Sequence, residues 1–203
     1  MAAPVSNGVL RTNLADMKIG DYIRWGYFGA TSNVAGTFTN DPDKLASLTD
    51  GTITTTTTTP SSVGGFYFIK WKSGLLVADR AVQSAISAQS LNKAGYYTGG
   101  AYRCLSVDEV SAISNDDFNG SGITAFSKLG KTKIPGQGGE LPCILCQNIK
   151  NEPIASDITG PSNSVFGYTM TSVDVANRMR YAVACFLPVM EYVDNPKSTN
   201  IYY

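Results

Sequence analysis

Residues 65–80 read GFYFIKWKSGLLVADR, and this stretch decides the class of fold. Residues 66–71 are rich in the large aromatic side chains that strands favour, and residues 75–78 form a second apolar run. Between the two runs, Lys72-Ser73-Gly74 supplies the polar, glycine-containing turn of a hairpin. The stretch therefore predicts two antiparallel strands, both of which face a core.

Strands are also predicted upstream of this hairpin. Residues 16–38 alternate apolar and polar positions with glycines between them, which favours short strands joined by turns, and Trp25 is expected to fill the core. Residues 51–60, GTITTTTTTP, have high β propensity but no apolar face. They predict an exposed loop or an edge strand that ends at Pro60.

One short helix is predicted directly after the hairpin. Ser87 is placed to cap a helix over residues 88–93, and Gly95 follows where a left-handed residue ends helices easily. A longer helix beginning at Asp79 is the alternative.

A second helix is predicted at residues 106–113. Ser106 and Glu109 have the spacing of a capping box, in which each side chain bonds to the backbone amide of the other residue. Val107, Val110 and Ile113 then share one helical face. Residues 115–142 show no sustained periodicity and are interpreted as long surface loops around one short element.

The stretch at 181–194, YAVACFLPVMEYVD, is the most apolar run of the chain and contains a proline. Proline cannot donate a hydrogen bond to a sheet. We therefore expect Pro188 at an edge, at a bulge, or where the missing N–H would face away from a partner strand.

Composition limits the classes of function. The 203 residues carry sixteen Lys plus Arg and sixteen Asp plus Glu, scattered along the chain, so no footprint for nucleic-acid binding is predicted. No run approaches the roughly 20 apolar residues that span a bilayer, and the start MAAPVSNGVLR lacks the features of a signal peptide, so neither export by a classical signal nor membrane insertion is expected. One domain of residues 16–203 is predicted, preceded by an N-terminal arm of residues 1–15.

The chain contains no histidine, which removes the commonest general base and zinc ligand. It also lacks a G-x-S-x-G elbow. We predict that the protein is not an enzyme. A cell-wall hydrolase is the remaining catalytic hypothesis, and its candidate carboxylates are Asp108, Glu109, Asp116 and Asp117.

Two motifs raise the question of a metal site. Cys143 and Cys146 form a C-x-x-C that Cys104 and Cys185 could complete around zinc, but the motif lies in an apolar, strand-like segment, so buried free thiols are favoured. Asn115, Asp117 and Asn119 have the spacing of a calcium loop, but Phe126 occupies the position of the bidentate acid, which favours a polar turn. No metal or cofactor is predicted.

Aromatic residues in glycine-rich surroundings form the predicted binding site. Such rings offer a large contact area for sugars or partner side chains at low entropic cost. Rings that fill a core would produce a similar pattern, and both interpretations stay open for Tyr96 and Tyr97. The predicted ligand-binding residues are Tyr96, Tyr97, Tyr102, Asn115, Asp117, Asn119 and Tyr168.

Several phrases in the chain resemble a domain common in tail-associated proteins of phages and prophages. They are, in order, IGDYI at 19–23, FYFIKWKSGLLVADR at 66–80, ISAQSLNKAGY at 86–96, YRCLS at 102–106 and FLPVMEY at 186–192. The closing phrase is similar to the terminal strand of C-type-lectin-like folds. Cys185 and Leu187 stand where that pattern has Gly and Arg, and Ala88-Gln89 stands where Trp-Asp is usual.

The resemblance implies a strand-rich, single-domain α+β protein with a C-type-lectin-like scaffold, one or two short helices and long loops. It implies a virion protein at the tail, made in the host cytoplasm, that contributes to host attachment. Its expected partners are other virion proteins, further copies of itself, and a carbohydrate or protein of the host surface. The alternative is an architectural decoration or connector protein of capsid or tail, without a ligand of its own. Leu187 is expected to be buried against a neighbouring subunit or an extra loop.

Overall fold

The computed structural model describes a defined part of the chain. Its residues are 4, 6, 8–31, 34–49, 51, 62–106, 108–109, 112–113, 144–146, 163–169, 172–178 and 183–193. For 144–146, 163–169, 172–178 and 183–184 the description covers the backbone only. The threonine run and the residues Asn115, Asp117 and Asn119 lie outside it.

The described part is strand-rich and arranged in two sheets. Its strands are β1 (Leu10–Arg11), β2 (Tyr22–Phe28), β3 (Thr37–Thr39), β4 (Gly64–Lys72), β5 (Leu75–Ala78), β6 (Gln83–Ser87), β7 (Tyr102–Cys104), β8 (Ile144–Cys146), β9 (Asn163–Thr169), β10 (Ser172–Arg178), β11 (Val183–Phe186) and β12 (Pro188–Glu191). The first sheet has the order β1-β2-β4-β5-β12-β7, with β3 also paired to β2, and the second has the order β10-β9-β8-β11-β6. Both sheets are mixed, because β1 runs parallel to β2 and β11 runs parallel to β8.

Two short α-helices accompany these strands, α1 (Pro42–Ser47) and α2 (Ala88–Lys93), together with a 3-10 turn at Leu14–Asp16. This composition is consistent with the predicted α+β class. None of the helices in the described residues is long and apolar enough to cross a bilayer.

The predicted hairpin is confirmed as the centre of the first sheet. β4 pairs antiparallel with β5 on one side and with β2 on the other. Gly74 closes the turn with a φ of 72°, a conformation that glycine adopts without a steric penalty. The register shifts between Lys70 and Lys72, which is a bulge at Trp71. All the positions of β5 and nearly all of β4 are buried, so both strands face the interior as predicted.

The closing stretch contains two strands that belong to different sheets, and the prediction of a single terminal strand is wrong. β11 pairs with β6 and β8, whereas β12 lies between β5 and β7. The chain passes from one sheet to the other at Leu187, and Pro188 is the first residue of β12. The first position is where a strand inside a sheet tolerates proline. Leu187 is only 3% exposed within the single chain, so its burial requires no neighbouring subunit.

An aromatic cluster fills one face of the first sheet. Register places Trp25 opposite Phe66, and Trp25 packs edge-on to Phe68 at 5.9 Å. Phe38 lies 4.7 Å from Tyr27 between ring centroids. The cluster consists of Trp25, Tyr27, Phe38, Phe66, Phe68, Tyr96, Tyr102 and Phe186. The prediction that Trp25 fills the core is confirmed, because its side chain is 4% exposed.

The helix predicted after the hairpin is confirmed, and the longer alternative from Asp79 is wrong because strand β6 intervenes. The Ser87 side chain accepts a hydrogen bond from the amide of Ser90 at 3.2 Å. The Leu91 side chain is buried on the inner face of the helix. Gly95 follows the helix with a φ of 76°. Helix α1 was not predicted, although Asp41 caps it and Pro42 stands at its first turn, a recognisable start signal.

We expect Ser87→Ala to lower the free energy of unfolding by about 1 kcal/mol, because the buried hydroxyl is the acceptor for an amide at the start of α2. Urea unfolding followed by tryptophan fluorescence measures the change. Ser47→Ala is the matched control, since Ser47 is exposed at the end of α1 and its loss should cost less than about 0.5 kcal/mol. Equal effects of the two substitutions would contradict the assigned cap.

The predicted capping box is confirmed in both directions. The Glu109 amide donates to the Ser106 hydroxyl at 3.1 Å, and the Ser106 amide donates to the Glu109 carboxylate at 2.9 Å. Asp108, Glu109, Ala112 and Ile113 are helical, and Ile113 is fully buried. This part of the chain therefore packs a helical turn against the core.

The N-terminal residues contact the domain through Asp21. Its carboxylate accepts from the amides of Val9 and Lys18 and from Nε of Arg11 at 2.7 Å. Burial alone would raise the pKa of Asp21, but these hydrogen bonds outweigh it and lower the pKa. They hold β1 beside β2. The division into an arm of residues 1–15 and a single domain of residues 16–203 stays a prediction.

Candidate functional site

The loop after α2 and the first residue of β7 together carry three of the predicted site tyrosines. The Tyr96 amide donates to the Leu91 carbonyl at 2.8 Å, and the Cys104 amide donates to the Tyr96 carbonyl at 3.0 Å, so both ends of the loop are fixed. Gly99 and Gly100 adopt positive φ values of 73° and 77° at its tip. The loop segment 98–101 is exposed. The structure therefore presents a short, anchored, glycine-containing loop at the end of the aromatic cluster.

Tyr97 does not take part in a surface site in this structure. Its side chain is 1% exposed and is among the largest fully buried side chains. Its ring has no face on which a ligand could stack, so the prediction of Tyr97 as a binding residue is corrected to a core position. The two adjacent tyrosines therefore differ, because Tyr97 lies in the core and Tyr96 is partly exposed.

Tyr96 and Tyr102 come together at the rim of the aromatic cluster. Their ring centroids are 6.3 Å apart in an edge-to-face arrangement, and Tyr102 stacks on Phe38 at 4.1 Å. Trp25 donates its indole N–H to the Tyr102 hydroxyl at 3.1 Å. Burial raises the pKa of both tyrosines, so both hydroxyls stay protonated at neutral pH and can act as donors. Both residues are half-buried, so each keeps some surface for a contact outside the domain.

The structure does not describe how the side chains of the other predicted site residues lie relative to this pair. Asn115, Asp117 and Asn119 lie outside the described residues. Tyr168 lies in β9 of the second sheet, paired with Val173 of β10. The composition of the predicted site stays a prediction.

Arg103 is the centre of an ion-pair network that sequence reasoning did not identify. Its Nη atoms donate to both carboxylate oxygens of Glu109 at 2.7 Å, and its Nε donates to Glu191 at 2.6 Å. Burial by itself would lower the pKa of Arg103, but these two carboxylates raise it. The network joins β7, β12 and the helical turn that begins after Ser106. The capping box was a visible signal for Glu109, whereas nothing in the spacing linked Arg103 to Glu191.

Glu109 is poorly suited to the acid–base role that the hydrolase hypothesis requires. Burial would raise the pKa of its carboxyl, but hydrogen bonds from Arg103 and Ser106 outweigh burial and lower it. A general acid at neutral pH needs the opposite shift. Asp108 is exposed, and Asp116 and Asp117 lie outside the described residues.

Asp79 and Arg80 form a second buried ion pair, at the end of β5. Arg80 donates through Nε to the Asp79 carboxylate at 2.8 Å, and the amide of Tyr67 donates to the same carboxylate at 3.0 Å. Nη1 of Arg80 reaches the carbonyl of Gly51 at 3.1 Å. Burial raises the pKa of Asp79, against the effect of Arg80 and of the Tyr67 amide. The pair connects the central hairpin to the residue that precedes the threonine run.

The two described cysteine side chains are buried, as the sequence favoured. Cys104 and Cys185 are 0% and 1% exposed. Burial raises the pKa of the Cys104 thiol well above its ordinary value, so it is not a thiolate at neutral pH. Within the described residues no three Cys, Asp or Glu side chains lie close enough to hold a metal ion. That the protein binds no metal stays a prediction.

The described surface includes two clefts that bear on these residues. One, of about 510 Å³, is lined by Arg103, Glu109 and Glu191 together with the turn at Gly74 and the loop at Gly100. The other, of about 410 Å³, lies between the N-terminal segment and α1, and Trp25 forms part of its wall. Trp25 and its partner Tyr102 therefore connect this second cleft to the tyrosine rim.

Comparison with protein-family models, with curated proteins and with solved structures found no match for this chain.

Proposed function

We propose that this chain is a non-enzymatic structural protein of a phage virion, associated with the tail, whose C-type-lectin-like domain contributes to attachment to the host surface. Tyr96, Tyr102 and the exposed loop segment 98–101 form its contact surface. The receptor is a carbohydrate or protein of the host cell. The protein acts as an assembly of several copies, as is usual for virion parts.

The observation that carries this proposal is that residues of the sequence segments on which the resemblance rests bond to each other in the fold. Arg103 of YRCLS and Glu191 of FLPVMEY are 88 positions apart in sequence, yet their side chains bond at 2.6 Å. Asp21 of IGDYI holds the first strand, and Asp79 of the hairpin phrase bonds to Arg80. The phrases thus supply contacts that hold a scaffold together, which supports a shared scaffold and leaves the loops to determine binding.

We expect purified protein to compete with virions for adsorption to host cells, and Thr98→Arg with Ala101→Arg to weaken that competition at least about tenfold, as expected for large charged side chains within a contact surface. Both residues are exposed, so the fold should persist. Ser47→Arg, on exposed helix α1, is the control and should compete like the wild type. Unchanged competition by the double variant would refute this contact surface.

A second candidate is the architectural one, a decoration or connector protein without its own ligand. It is favoured by the burial of Tyr97, which removes one of the predicted binding rings from the surface. Under this hypothesis the same double variant would leave adsorption unchanged and reduce incorporation of the protein into particles.

A further inference from the structure

The cleft beside α1 has an apolar interior at one edge of the first sheet. Its volume of about 410 Å³ lies within the range of roughly 300–1,000 Å³ that is usual for ligand sites. Its apolar lining comes from the N-terminal segment, from β2 and from α1. The residues are Leu10, Leu14, Ile23, Trp25, Pro42 and Leu45.

The polar part of the same cleft is positively charged. Arg11 and Arg24 line it, and none of its described lining residues is acidic. Arg11 bonds to Asp21 through Nε at 2.7 Å, and its side chain is one third exposed, at 33%. The bond to Asp21 uses Nε, and a guanidinium carries two further nitrogen donors in the same plane. Guanidinium groups bind carboxylates in a planar, two-bond geometry, so the cleft favours an apolar group that carries an acidic neighbour.

Leu10 stays exposed although it lines the cleft. Its exposed fraction is 54%. An exposed aliphatic side chain at the edge of an apolar groove is typical of protein contact sites. A small molecule confined to the cleft would leave the outer part of Leu10 uncovered, whereas a peptide segment that runs across the cleft would cover it.

We propose that this cleft binds an acidic peptide segment of a partner protein, which inserts one apolar side chain and pairs a neighbouring carboxylate with Arg11. This site does not depend on the attachment function, because it lies on residues outside the loop segment 98–101. It assigns a role to the N-terminal strand as a docking edge.

A peptide array tests the class of partner. The probes are nine-residue peptides with two central apolar residues, varied over Leu, Ile, Val, Met, Phe, Tyr and Trp, within an acidic frame, an isosteric amide frame or a basic frame. We expect saturable binding in the acidic frame, at least about tenfold weaker binding in the amide frame, and none in the basic frame. Failure of every acidic peptide, or equal binding in the amide frame, would overturn the proposal.

Paired substitutions test the position of the site. Leu10→Asp places a carboxylate in the cleft, whereas Ile19→Asp changes an aliphatic residue of similar exposure, 47%, that does not line it. By fluorescence anisotropy with the best acidic peptide, we expect Leu10→Asp to weaken binding at least about tenfold and Ile19→Asp less than about twofold. Thermal unfolding of both variants checks that the fold is retained.

Two outcomes contradict the site. Equal loss in the two variants would place binding elsewhere. Displacement of the peptide by octanoate at lower concentration than by the unlabelled peptide would identify a fatty-acid site instead. A protein that binds the peptide but does not compete for adsorption would contradict the attachment proposal for the loop segment 98–101 and leave the cleft proposal standing. The two proposals can therefore fail separately.

Discussion

Arg103→Met should lower the free energy of unfolding by about 3–4 kcal/mol, the largest effect that we expect from a single substitution in this domain. The substitution leaves Glu109, which is largely buried, without its bidentate partner. It also removes the positive charge that lies between the carboxylates of Glu109 and Glu191. Removing one member of a buried ion pair costs about 3–5 kcal/mol, because the remaining charge stays buried. Urea unfolding measures the loss.

Matched variants separate the two halves of this network. Glu191→Gln should cost less than about 1 kcal/mol, since the Glu191 side chain is 51% exposed and solvent screens its pairing. Arg103→Lys retains the charge but loses the two-bond geometry, and should lie between the other two variants. A larger effect of Glu191→Gln than of Arg103→Met would contradict the assignment of Glu109 as the main partner.

The contribution of Glu109 should also depend on pH. Its pKa in the folded protein lies below the ordinary value of 4.5, so the stabilisation is fully present above pH 4.5 and is lost as the pH falls through the folded pKa. The difference in stability between the wild type and Arg103→Met should therefore shrink below pH 4.5. A difference that stays constant into that range would contradict the paired, ionised state of Glu109.

Asp79→Asn should be the second most damaging substitution, at about 1–2 kcal/mol, because the burial that raises the pKa of Asp79 offsets part of the stabilisation that its pairing with Arg80 supplies. It keeps an oxygen that can accept from the Tyr67 amide, but it leaves the Arg80 guanidinium, which is 7% exposed, beside a neutral amide. The loss of stability therefore measures the effect of the unpaired Arg80 charge and not of the hydrogen bond from the Tyr67 amide. Urea unfolding again measures it.

The double variant Asp79→Asn with Arg80→Met is the control for that interpretation. It removes the unpaired charge and fills the space with an apolar side chain, so it should recover more than half of the lost stability. A double variant that is less stable than Asp79→Asn alone would show that Arg80 stabilises the domain mainly through Gly51.

Local signals were sufficient for the elements that depend on neighbouring residues. The hairpin at 65–80, the cap at Ser87 and the capping box at Ser106 each need contacts within a few positions, and all three are confirmed. The start of α1 carries the same kind of signal in Asp41 and Pro42, but no helix was predicted there.

Long-range pairing could not be predicted from these patterns. The closing stretch is continuously apolar, and nothing in its composition shows that Leu187 separates two strands of different sheets. The bond between Arg103 and Glu191 requires β7 and β12 to be neighbours, which follows only from the sheet order.

The candidate site was predictable in part. Glycines around Tyr96, Tyr97 and Tyr102 located a surface loop, but sequence alone does not determine which ring points inward. The structure buries Tyr97 and leaves Tyr96 and Tyr102 half-buried at the rim. The cleft beside α1 was not predicted, because it is formed by segments that are separate in sequence.

The location of the protein in virions tests the central claim most directly. Purified particles would be analysed by mass spectrometry and by electron microscopy with antibodies against the folded domain. We predict that the chain is a stoichiometric component of the particle and that the antibody labels the tail. Absence of the chain from purified particles, with the protein present in the surrounding lysate, would contradict the proposed function.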